Sequence, residues 1–382
     1  MSEENIVVSG TGLYTPPYAI SNEELVESFN SWAEQHNSEN AAAIFAGEKE
    51  EKQLSDVDFI EKASGIKSRF MMEKAGVVDP GRLRSKLSPA AEPDTFFGVP
   101  AQVVMALGAA AEALAKAGLE GPDIDLVIFS SSVFERFVPS IAVEIQSELG
   151  AGGFAYDMAV GCSSATFGMS NAMDAVRGGI ASRVLVITSE YITPAMNFKD
   201  RDSHFIFGDA CVAMVVESER TTKSKTAFRI RSRKLFTKFS MNIRAGFGTR
   251  LFLEEGDDLL KENPDVRFLQ NGRTVFKELV PRVIRLVKGH MAEQNLEISQ
   301  VRRIWLHQAN IHMNEMAGRK ILGEMPTQDK APIILDEYAN TAGAGCIIAF
   351  HKFKEDFESG EIGVLCSFGA GYSIGCLVLE RV

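Results

Sequence analysis

The pattern of hydrophobic and polar positions along the chain predicts buried strands that alternate with helices. Short apolar runs bounded by turn residues predict strands at residues 6–12, 124–132, 184–189 and 210–217. Apolar residues at helical spacing predict helices over residues 101–117, 140–149 and 274–291. Because mostly apolar strands alternate with helices, we predict an α/β fold whose mostly parallel sheet is covered by helices on both faces.

The same rhythm repeats after a polar stretch at residues 217–226, which shows no apolar period. We interpret this stretch as a linker between two halves, residues 1–217 and 218–382. In the second half, short apolar runs predict strands at residues 304–307, 333–335, 364–368 and 376–380. Two halves of similar rhythm predict a duplicated α/β unit.

Two segments do not fit this rhythm. Residues 31–53 are polar and acidic and predict a helix followed by a loop. Residues 77–95 contain three prolines and a basic cluster of Arg82, Arg84 and Lys86. A loop of this length in a compact chain is typical of a lid, a binding loop or a mobile surface loop, and the sequence leaves these alternatives open.

Composition narrows the classes of function. The 382 residues, 45% hydrophobic and 24% charged, fit a globular protein, and the formal charge of −11 disfavours nucleic acid or anionic membranes as partners. No long apolar run predicts a membrane span, and the acidic N-terminus lacks the features of a signal peptide. Five cysteines without CxxC spacing suggest reduced thiols in the cytoplasm rather than disulfides or a metal site. We predict neither a metal nor an organic cofactor.

Cys162 lies where a short apolar run passes through Gly161 into a helix rich in small residues. A thiol at a helix N-terminus faces unpaired amides and the positive end of the helix dipole. This environment lowers the thiol pKa and favours the nucleophilic thiolate. A reactive cysteine is therefore one interpretation. A lone cysteine is more often an inert buried residue, so the decision depends on the rest of the chain.

Three other stretches carry candidate chemistry. His307 ends a predicted strand, Asn340 begins a stretch of small residues like the one after Cys162, and residues 368–371 form a Gly-rich turn with free backbone amides. Each also has a structural interpretation, as a core histidine, a helix cap and a simple hairpin. Only their combination with Cys162, in this order, favours a catalytic site.

In this combination the chain resembles the thiolase-like condensing enzymes, specifically β-ketoacyl-[acyl-carrier-protein] synthase III, over nearly its whole length. The matching motifs are the Cys162 stretch and residues 139–150, 207–209, 275–277, 307–310, 340–341 and 368–372. The resemblance implies a duplicated, five-layered α-β-α-β-α fold and a homodimer.

The resemblance also implies a role for each site residue. Cys162 would accept an acyl group from a primer thioester, expected to be an acyl-CoA, and the backbone amides of Cys162 and Ala370 would hold the oxyanion. Malonyl-[acyl-carrier protein] would then lose CO₂. His307 and Asn340 would donate hydrogen bonds to the thioester oxygen of the resulting enolate, which attacks the acyl group on Cys162.

Two departures from the family pattern concern the primer. Phe59 and Ala63 replace the Trp and Arg that hold the adenine of coenzyme A in compact members. We therefore expect a different mode of coenzyme A binding, with the basic loop at residues 77–95 as one alternative. Val138 replaces a Phe that closes the acyl pocket in some members. This predicts a deeper pocket and a primer longer than acetyl, of medium chain length.

An acidic carrier protein requires a local basic surface on this acidic chain. Lys277, Arg319 and Lys320 align with basic family positions, and His312 replaces a family Arg. Screening limits repulsion from the rest of the surface to about 8–10 Å, so a local cluster is sufficient. The alternative interpretation is that these are ordinary solvated charges.

Three other functions remain open from the sequence. A relative that joins two acyl-CoA molecules head to head would need a carboxylate base, and Glu135 is the candidate, although a surface charge is the simpler interpretation. A Cys–His thioesterase or acyl transferase would not need Asn340. A catalytically silent subunit would not need to retain Cys162, His307 and Asn340 together. Release of CO₂ from malonyl-carrier protein separates the first alternative from the decarboxylative reaction.

Overall fold

The structure is a computed structural model that describes residues 4–85, 99–245 and 268–382. Nine of its strands form one large sheet: β1 Ile6–Tyr14, β4 Leu126–Ser130, β5 Phe154–Met158, β6 Arg183–Glu190, β7 Ala210–Ser218, β8 Phe228–Ser240, β11 Val301–Leu306, β12 Ile362–Gly369 and β13 Gly371–Arg381. Two small sheets pair β2 Tyr18–Ser21 with β3 Ser68–Met71, and β9 Ile243–Ala245 with β10 Phe268–Gln270.

The helices pack on the faces of the large sheet or at its ends. They are α1 Asn22–Glu39, α2 Ala41–Phe45, α3 Val57–Ser64, α4 Ala101–Ala117, α5 Ile141–Leu149, α6 Ser164–Arg177, α7 Gly272–Glu293, α8 Ile311–Leu322, α9 Leu335–Tyr338 and α10 Gly345–Lys352. The predicted helices at residues 101–117, 140–149 and 274–291 correspond closely to α4, α5 and α7.

Local sequence signals explain where several helices begin and end. Ser21 and Glu24 form a capping box at the start of α1, and the Glu24 N–H donates to Ser21 Oγ at 3.3 Å. Ser140 caps α5 through its side chain. Gly65 ends α3 with φ of 79°, in the left-handed region that glycine adopts without steric cost. These boundaries are therefore encoded by neighbouring residues.

The large sheet is mixed, so the prediction of a mostly parallel sheet is wrong. Its strands lie in the order β11-β12-β13-β8-β1-β7-β6-β4-β5. The β4–β5, β4–β6 and β11–β12 pairs are parallel, and the other five neighbouring pairs are antiparallel. Helices cover both faces, so the antiparallel strands β1, β7, β12 and β13 are also buried over most of their length, whereas β8 is largely exposed. The sequence pattern of these buried strands then matches that of parallel strands.

The sheet has two equivalent parts, which confirms the predicted duplication. In each part a parallel pair is followed by two antiparallel pairs, along β4-β6-β7-β1 and along β11-β12-β13-β8. The two parts meet where Val7 pairs with Arg229 and Val8 with Phe228. The proposed boundary between residues 217 and 218 falls at the end of β7 and stays a prediction.

The helices and the two parts of the sheet form five layers. Helices α6 and α10 lie in a central core together with side chains from strands of both halves. Helices α4 and α5 pack on the outer face of the first part, and α7 and α8 on the outer face of the second. The α-β-α-β-α arrangement is thus confirmed.

Two of the remaining predictions concern segments outside the layers. The strand predicted at residues 333–335 is wrong, because Ile334 precedes α9 and its N–H donates to the Gln308 side chain at 3.1 Å. Three apolar residues alone do not distinguish a strand from a buried turn. Residues 31–53 form the end of α1, then α2 and a loop, whereas residues 86–95 lie outside the described residues.

Within the described ranges, no helix combines the length and apolar character that crossing a membrane requires.

Candidate active site

Cys162 lies in a 3₁₀ turn, Gly161–Ser163, between β5 and α6. The turn needs glycine at position 161, where φ is +55°. Ser164 Oγ accepts from the Val160 N–H at 3.0 Å and donates to the Ser131 carbonyl at 3.1 Å. These bonds fix the cysteine turn against the end of β4. Cys162 therefore lies in the turn just before α6, which begins at Ser164.

The hairpin between β12 and β13 lies directly against Cys162. A Cβ atom on Gly369 would stand 2.5 Å from the Cys162 Cβ and 2.8 Å from its Sγ, so only glycine permits this approach. The backbone amides of Ala370 and of Cys162 itself lie beside the sulfur, and each lowers the thiol pKa. These are the two amides predicted to form the oxyanion hole.

Replacing Gly369 with alanine should displace the hairpin from Cys162. The added methyl group overlaps the Cys162 side chain, and overpacking of this kind typically costs about 1–3 kcal/mol of folding stability. We expect slower alkylation of Cys162 by iodoacetamide, followed by intact mass, and a lower melting temperature. Gly289→Ala in α7 is the control, because a Cβ there meets nothing within 4 Å. An alkylation rate equal to that of the unaltered protein would contradict the close packing.

The prediction that the helix N-terminus lowers the pKa of Cys162 is wrong. Burial, followed by the negative charge of Glu190, raises the pKa of the thiol to about 12. The two neighbouring amides offset only part of this rise. The thiol is therefore protonated at neutral pH in the unliganded protein. Neither its burial nor the nearby carboxylate is visible in the sequence around residue 162.

His307 follows β11 and is 2% exposed. Its backbone N–H donates to the Cys366 carbonyl at 2.8 Å, and its ring packs edge-on against Phe368, with centroids 5.2 Å apart. Burial lowers the pKa of the imidazole to about 4, although the Ala342 backbone opposes this shift. The ring is therefore neutral at pH 7 and can donate one N–H hydrogen bond.

Asn340 follows α9 and is 6% exposed. Its backbone is fixed by hydrogen bonds with Ile206 and Gly208, and its side-chain Oδ1 accepts from the Ala342 N–H at 2.9 Å. With Oδ1 held in this way, the Nδ2 group is the hydrogen-bond donor that Asn340 can offer a ligand. Ala339 and Ala342 flank it with φ of 56° and 42°. Strained backbone of this kind is concentrated at functional sites.

Short contacts bring the three predicted residues into one site. The backbone of Ala342 contacts the His307 ring and also binds the Asn340 side chain. Ala342 and Cys162 belong to the same apolar cluster. Phe368 packs on the His307 ring, and the next residue, Gly369, lies against Cys162. The catalytic roles of these residues stay predictions, but their side chains lie together.

A buried carboxylate beside this site was not identified from the sequence. Glu190 ends β6 and has no exposed surface. Its burial raises its pKa to about 7, and its charge acts on Cys162. The available signal was a glutamate that directly follows the apolar run at residues 184–189. A charged residue at the end of a strand is more often at the surface, so this position alone does not predict a buried carboxylate.

The predicted carrier-protein residues lie on α7 and α8. Lys277, Arg319 and Lys320 are exposed, and two of them, Lys277 and Lys320, line a groove of about 500 Å³ between the helices. His312 is also exposed, but its Nε2 lies 2.9 Å from the Lys62 carbonyl and so ties α8 to α3. The other residues that line the groove are Phe276, Val280, Pro281, Ile284, Arg285 and Met316.

Val138 lies at the surface of this chain. Its side chain is 85% exposed, and it lies beside Phe137, which is 52% exposed. Its predicted role at the acyl pocket stays a prediction.

The positions of the missing adenine clamp are occupied by internal contacts. The Arg201 guanidinium lies 4.0 Å over the Phe59 ring, and its Nε donates to the Leu54 carbonyl at 2.7 Å. The Ala63 carbonyl accepts from the Asn310 side chain at 2.7 Å. An aromatic face that is already covered by a guanidinium is less available to an adenine ring. These contacts favour the predicted change in coenzyme A binding.

Glu135 is not the surface charge that we considered the simpler interpretation, because it is partly buried and bonds the start of α4. Its Oε2 accepts from the Gln102 N–H at 2.6 Å, and its own N–H donates to Gln102 Oε1 at 2.8 Å. The carboxylate thus caps the first turn of α4. Burial raises the pKa of this carboxyl group, and the hydrogen bonds from the helix end oppose the rise.

Comparison with known proteins extends these observations. Residues 156–234 match the family model of 3-oxoacyl-[acyl-carrier-protein] synthase III, and residues 291–381 match the model of its C-terminal part. The chain is 48% identical over 356 residues to the β-ketodecanoyl-[acyl-carrier-protein] synthase of Pseudomonas aeruginosa, a match that covers 93% of this chain and 100% of the relative. It is 26% identical over 380 residues to the β-ketoacyl-[acyl-carrier-protein] synthase III of Granulibacter bethesdensis, covering 98% of each.

Solved structures agree on the fold. The crystal structure of 3-oxoacyl-[acyl-carrier-protein] synthase III from Aquifex aeolicus superimposes with a TM-score of 0.73 at 22% identity, covering 98% of this chain and 99% of that one. The priming β-ketosynthase of the R1128 polyketide pathway gives the same TM-score at 23% identity. The family models and the 48% identical relative confirm the predicted family: the chain belongs to the 3-oxoacyl-[acyl-carrier-protein] synthase III family.

Proposed function

We propose that this protein condenses an acyl-CoA primer with malonyl-[acyl-carrier protein] in a decarboxylative Claisen reaction that yields a 3-oxoacyl-[acyl-carrier protein]. The observation that carries the proposal is the convergence of a thiol, a neutral imidazole and a side-chain amide on one turn and one hairpin. Family membership and the 48% identity to a β-ketodecanoyl synthase support the same reaction.

In the first half of the reaction, Cys162 takes up the acyl group. Its sulfur attacks the primer carbonyl and loses its proton, and coenzyme A leaves as a thiol, so the step is balanced in protons. The Cys162 and Ala370 amides are placed to donate to the oxyanion, and one such donor is typically worth about 3–4 kcal/mol. A thioester on sulfur keeps the acyl group activated for the next step.

In the second half, the malonyl thioester loses CO₂ and leaves an enolate. His307 and Asn340 donate to the enolate oxygen. The His307 ring is neutral at neutral pH because burial holds its pKa at about 4, and the Asn340 amide carries no charge. The enolate carbon then attacks the acyl group, and Cys162 leaves as a thiolate that is reprotonated. The head-to-head alternative is disfavoured, because Glu135 is engaged by α4 and is not available as a base.

The primer that we propose has eight carbons. The relative in Pseudomonas aeruginosa is named for a β-ketodecanoyl product, which has ten carbons, and removing the two that come from malonyl leaves eight. This agrees with the medium-chain primer expected from Val138. An octanoyl primer on coenzyme A is therefore the first substrate to test.

The test is to incubate the protein with an equimolar mixture of acyl-CoA thioesters from acetyl to lauroyl and to measure its intact mass. We expect a mass increase equal to one octanoyl group, followed by formation of 3-oxodecanoyl-carrier protein when malonyl-carrier protein is added. Exclusive uptake of acetyl would contradict the primer. Absence of any acyl adduct would contradict the proposed reaction itself.

We propose the groove between α7 and α8 as the contact surface for the acidic carrier protein. Reversing two of its charges, Lys277→Glu with Lys320→Glu, should raise the KM for malonyl-carrier protein about tenfold or more while acyl uptake from acyl-CoA is unchanged. The control is Lys223→Glu with Lys225→Glu, which makes the same change in net charge at exposed lysines before β8. An equal effect of both double variants would mean that the groove has no specific role.

We also propose a homodimer that forms along β5. This strand is the edge of the large sheet, and Phe154 on it is 43% exposed. Nearby exposed apolar side chains include Phe137 at 52% and Val138 at 85%. An apolar edge strand is prone to pair with another chain, and a second copy would both extend the sheet and cover the loop at Val138.

A further inference from the structure

Glu190 is a buried carboxylate that the proposed reaction does not use. Its side chain is 0% exposed, and its oxygens receive hydrogen bonds from four groups. Oε1 accepts from the Ser132 N–H, the Ser132 hydroxyl and the Gly343 N–H at 3.0–3.1 Å, and Oε2 lies 3.1 Å from both the Ser132 N and the Ser131 hydroxyl. A buried ionisable group costs several kcal/mol unless it is bonded in this way.

These bonds connect the two halves of the fold at the site. Ser131 and Ser132 follow β4 of the first half, whereas Gly343 belongs to the 3₁₀ turn Ala342–Ala344 of the second half. The preceding residue in that turn, Ala342, donates its N–H to the Asn340 side chain and contacts the His307 ring. The carboxylate therefore holds the turn that orients Asn340.

The 3₁₀ turn at Gly343 is closely packed against Glu190, in addition to the hydrogen bond between them. A Cβ on Gly343 would stand 2.7 Å from Glu190 Oε1 and 3.6 Å from the Cβ of Ser164, the first residue of α6. Glu190 thus lies between the Asn340 turn and the start of the helix that follows Cys162. Its negative charge also acts on the Cys162 thiol.

We propose that Glu190 is a positioning residue of this site: its carboxylate holds the Asn340 turn through Gly343 and places a negative charge between that turn and the start of the helix that follows Cys162. The proposal rests on the proposed function for the role of Asn340, but the effect on Cys162 is independent of any substrate. In the ionised form the carboxylate satisfies all four donors. If it is protonated on Oε2, it can donate to Ser131 Oγ, whose own hydrogen then bonds the Ser189 carbonyl at 2.8 Å.

Other titratable groups near the pair are buried thiols. Cys211 interacts with Glu190 and Cys346 interacts with Cys162, and burial raises the pKa of both thiols well above neutrality. His307 is neutral, because burial keeps its pKa at about 4. Above neutral pH, the charge that Cys162 experiences from the described residues around it is therefore that of Glu190.

Two conservative variants separate the two parts of the proposal. Glu190→Gln removes the charge but keeps an oxygen for Gly343 and Ser132, and its new N–H group can donate to Ser131 Oγ. Glu190→Asp keeps the charge but shortens the side chain and withdraws it from Gly343. Glu217→Gln is the matched control, because Glu217 is an equally buried carboxylate that lies at the end of β7 and pairs with Arg183 at 3.4 Å.

The first readout is the pH dependence of Cys162 alkylation by iodoacetamide, which requires no substrate. We expect Glu190→Gln to move the profile to lower pH by about one unit, since a nearby like charge typically shifts a pKa by one unit or more. Glu190→Asp and Glu217→Gln should leave the profile unchanged. An unchanged profile for Glu190→Gln overturns the proposal, since a merely structural carboxylate would alter stability but not the profile.

The second readout is CO₂ release from malonyl-carrier protein. We expect Glu190→Asp to lower kcat about tenfold with KM unchanged, as for the loss of one positioning hydrogen bond, and Glu190→Gln to retain most of the activity. Equal activity of the two variants overturns the proposal. If the unaltered protein itself releases no CO₂ and takes up no acyl group, the proposed function fails, and the alkylation profile still decides the role of Glu190.

Discussion

Replacing Cys162 with alanine should abolish covalent uptake of the acyl group and lower condensation by more than about 10³-fold, because the residue supplies the only nucleophile in the proposed mechanism. Intact mass after incubation with octanoyl-CoA measures the uptake directly. Decarboxylation of malonyl-carrier protein should persist in this variant, because His307 and Asn340 are unaltered and the enolate is formed without the thiol.

The matched control for this experiment is Cys366→Ala. Cys366 is a fully buried thiol in β12 that pairs across the strands with Cys376, and it belongs to the outer core of the second half. Its loss should reduce stability without preventing acyl uptake. An acyl adduct that survives in Cys162→Ala would show that another residue carries the primer and would contradict the assignment of the nucleophile.

Replacing Asn340 with alanine should lower the rate of malonyl decarboxylation by about 10²–10³-fold while Cys162 still becomes acylated. The reason is that the Nδ2 group is held ready by the Oδ1 bond to Ala342, so its hydrogen bond to the enolate oxygen requires little reorganisation. The measurement is the initial rate of CO₂ release, with acyl uptake followed by mass in the same samples.

The control for this variant is Asn37→Ala, which removes an amide of the same size from α1, where it bonds Lys52 far along the chain from the site residues. We expect it to have no effect on either half-reaction. If Asn340→Ala lost acyl uptake and CO₂ release to the same extent, the residue would be acting on the shape of the site as a whole. Such a result would contradict its role as an enolate donor.

Cys162 shows how far reasoning from neighbouring residues can go. The glycine turn and the small residues that follow it indicated the place of the nucleophile, and the turn before α6 is where the structure has it. The predicted direction of its pKa shift was wrong. That shift depends on burial, to which the hairpin at Gly369 contributes, and on Glu190, which is distant in the sequence. Electrostatic and desolvation effects are set by neighbours in space.

Val138 and His312 show the same limit at the surface. Their positions in motifs suggested a pocket residue and a carrier contact, but whether a side chain lines a cavity depends on what packs against it. Val138 projects from the chain, and His312 is bonded to the Lys62 carbonyl. The roles of both residues stay predictions. The prediction of a mostly parallel sheet was wrong for a related reason, because strand direction leaves no trace in strands that are apolar on both faces.

The sequence by itself determined the alternation of strands and helices, their duplication, many helix caps and the identity of the chemical groups at residues 162, 307 and 340. These features depend on local patterns and on motifs that survive in the linear order. Tertiary structure alone decided which carboxylate faces the thiol, how the strands run and which loops stay uncovered. Such properties arise from contacts between residues far apart along the chain, and their energies depend on distance, burial and shape.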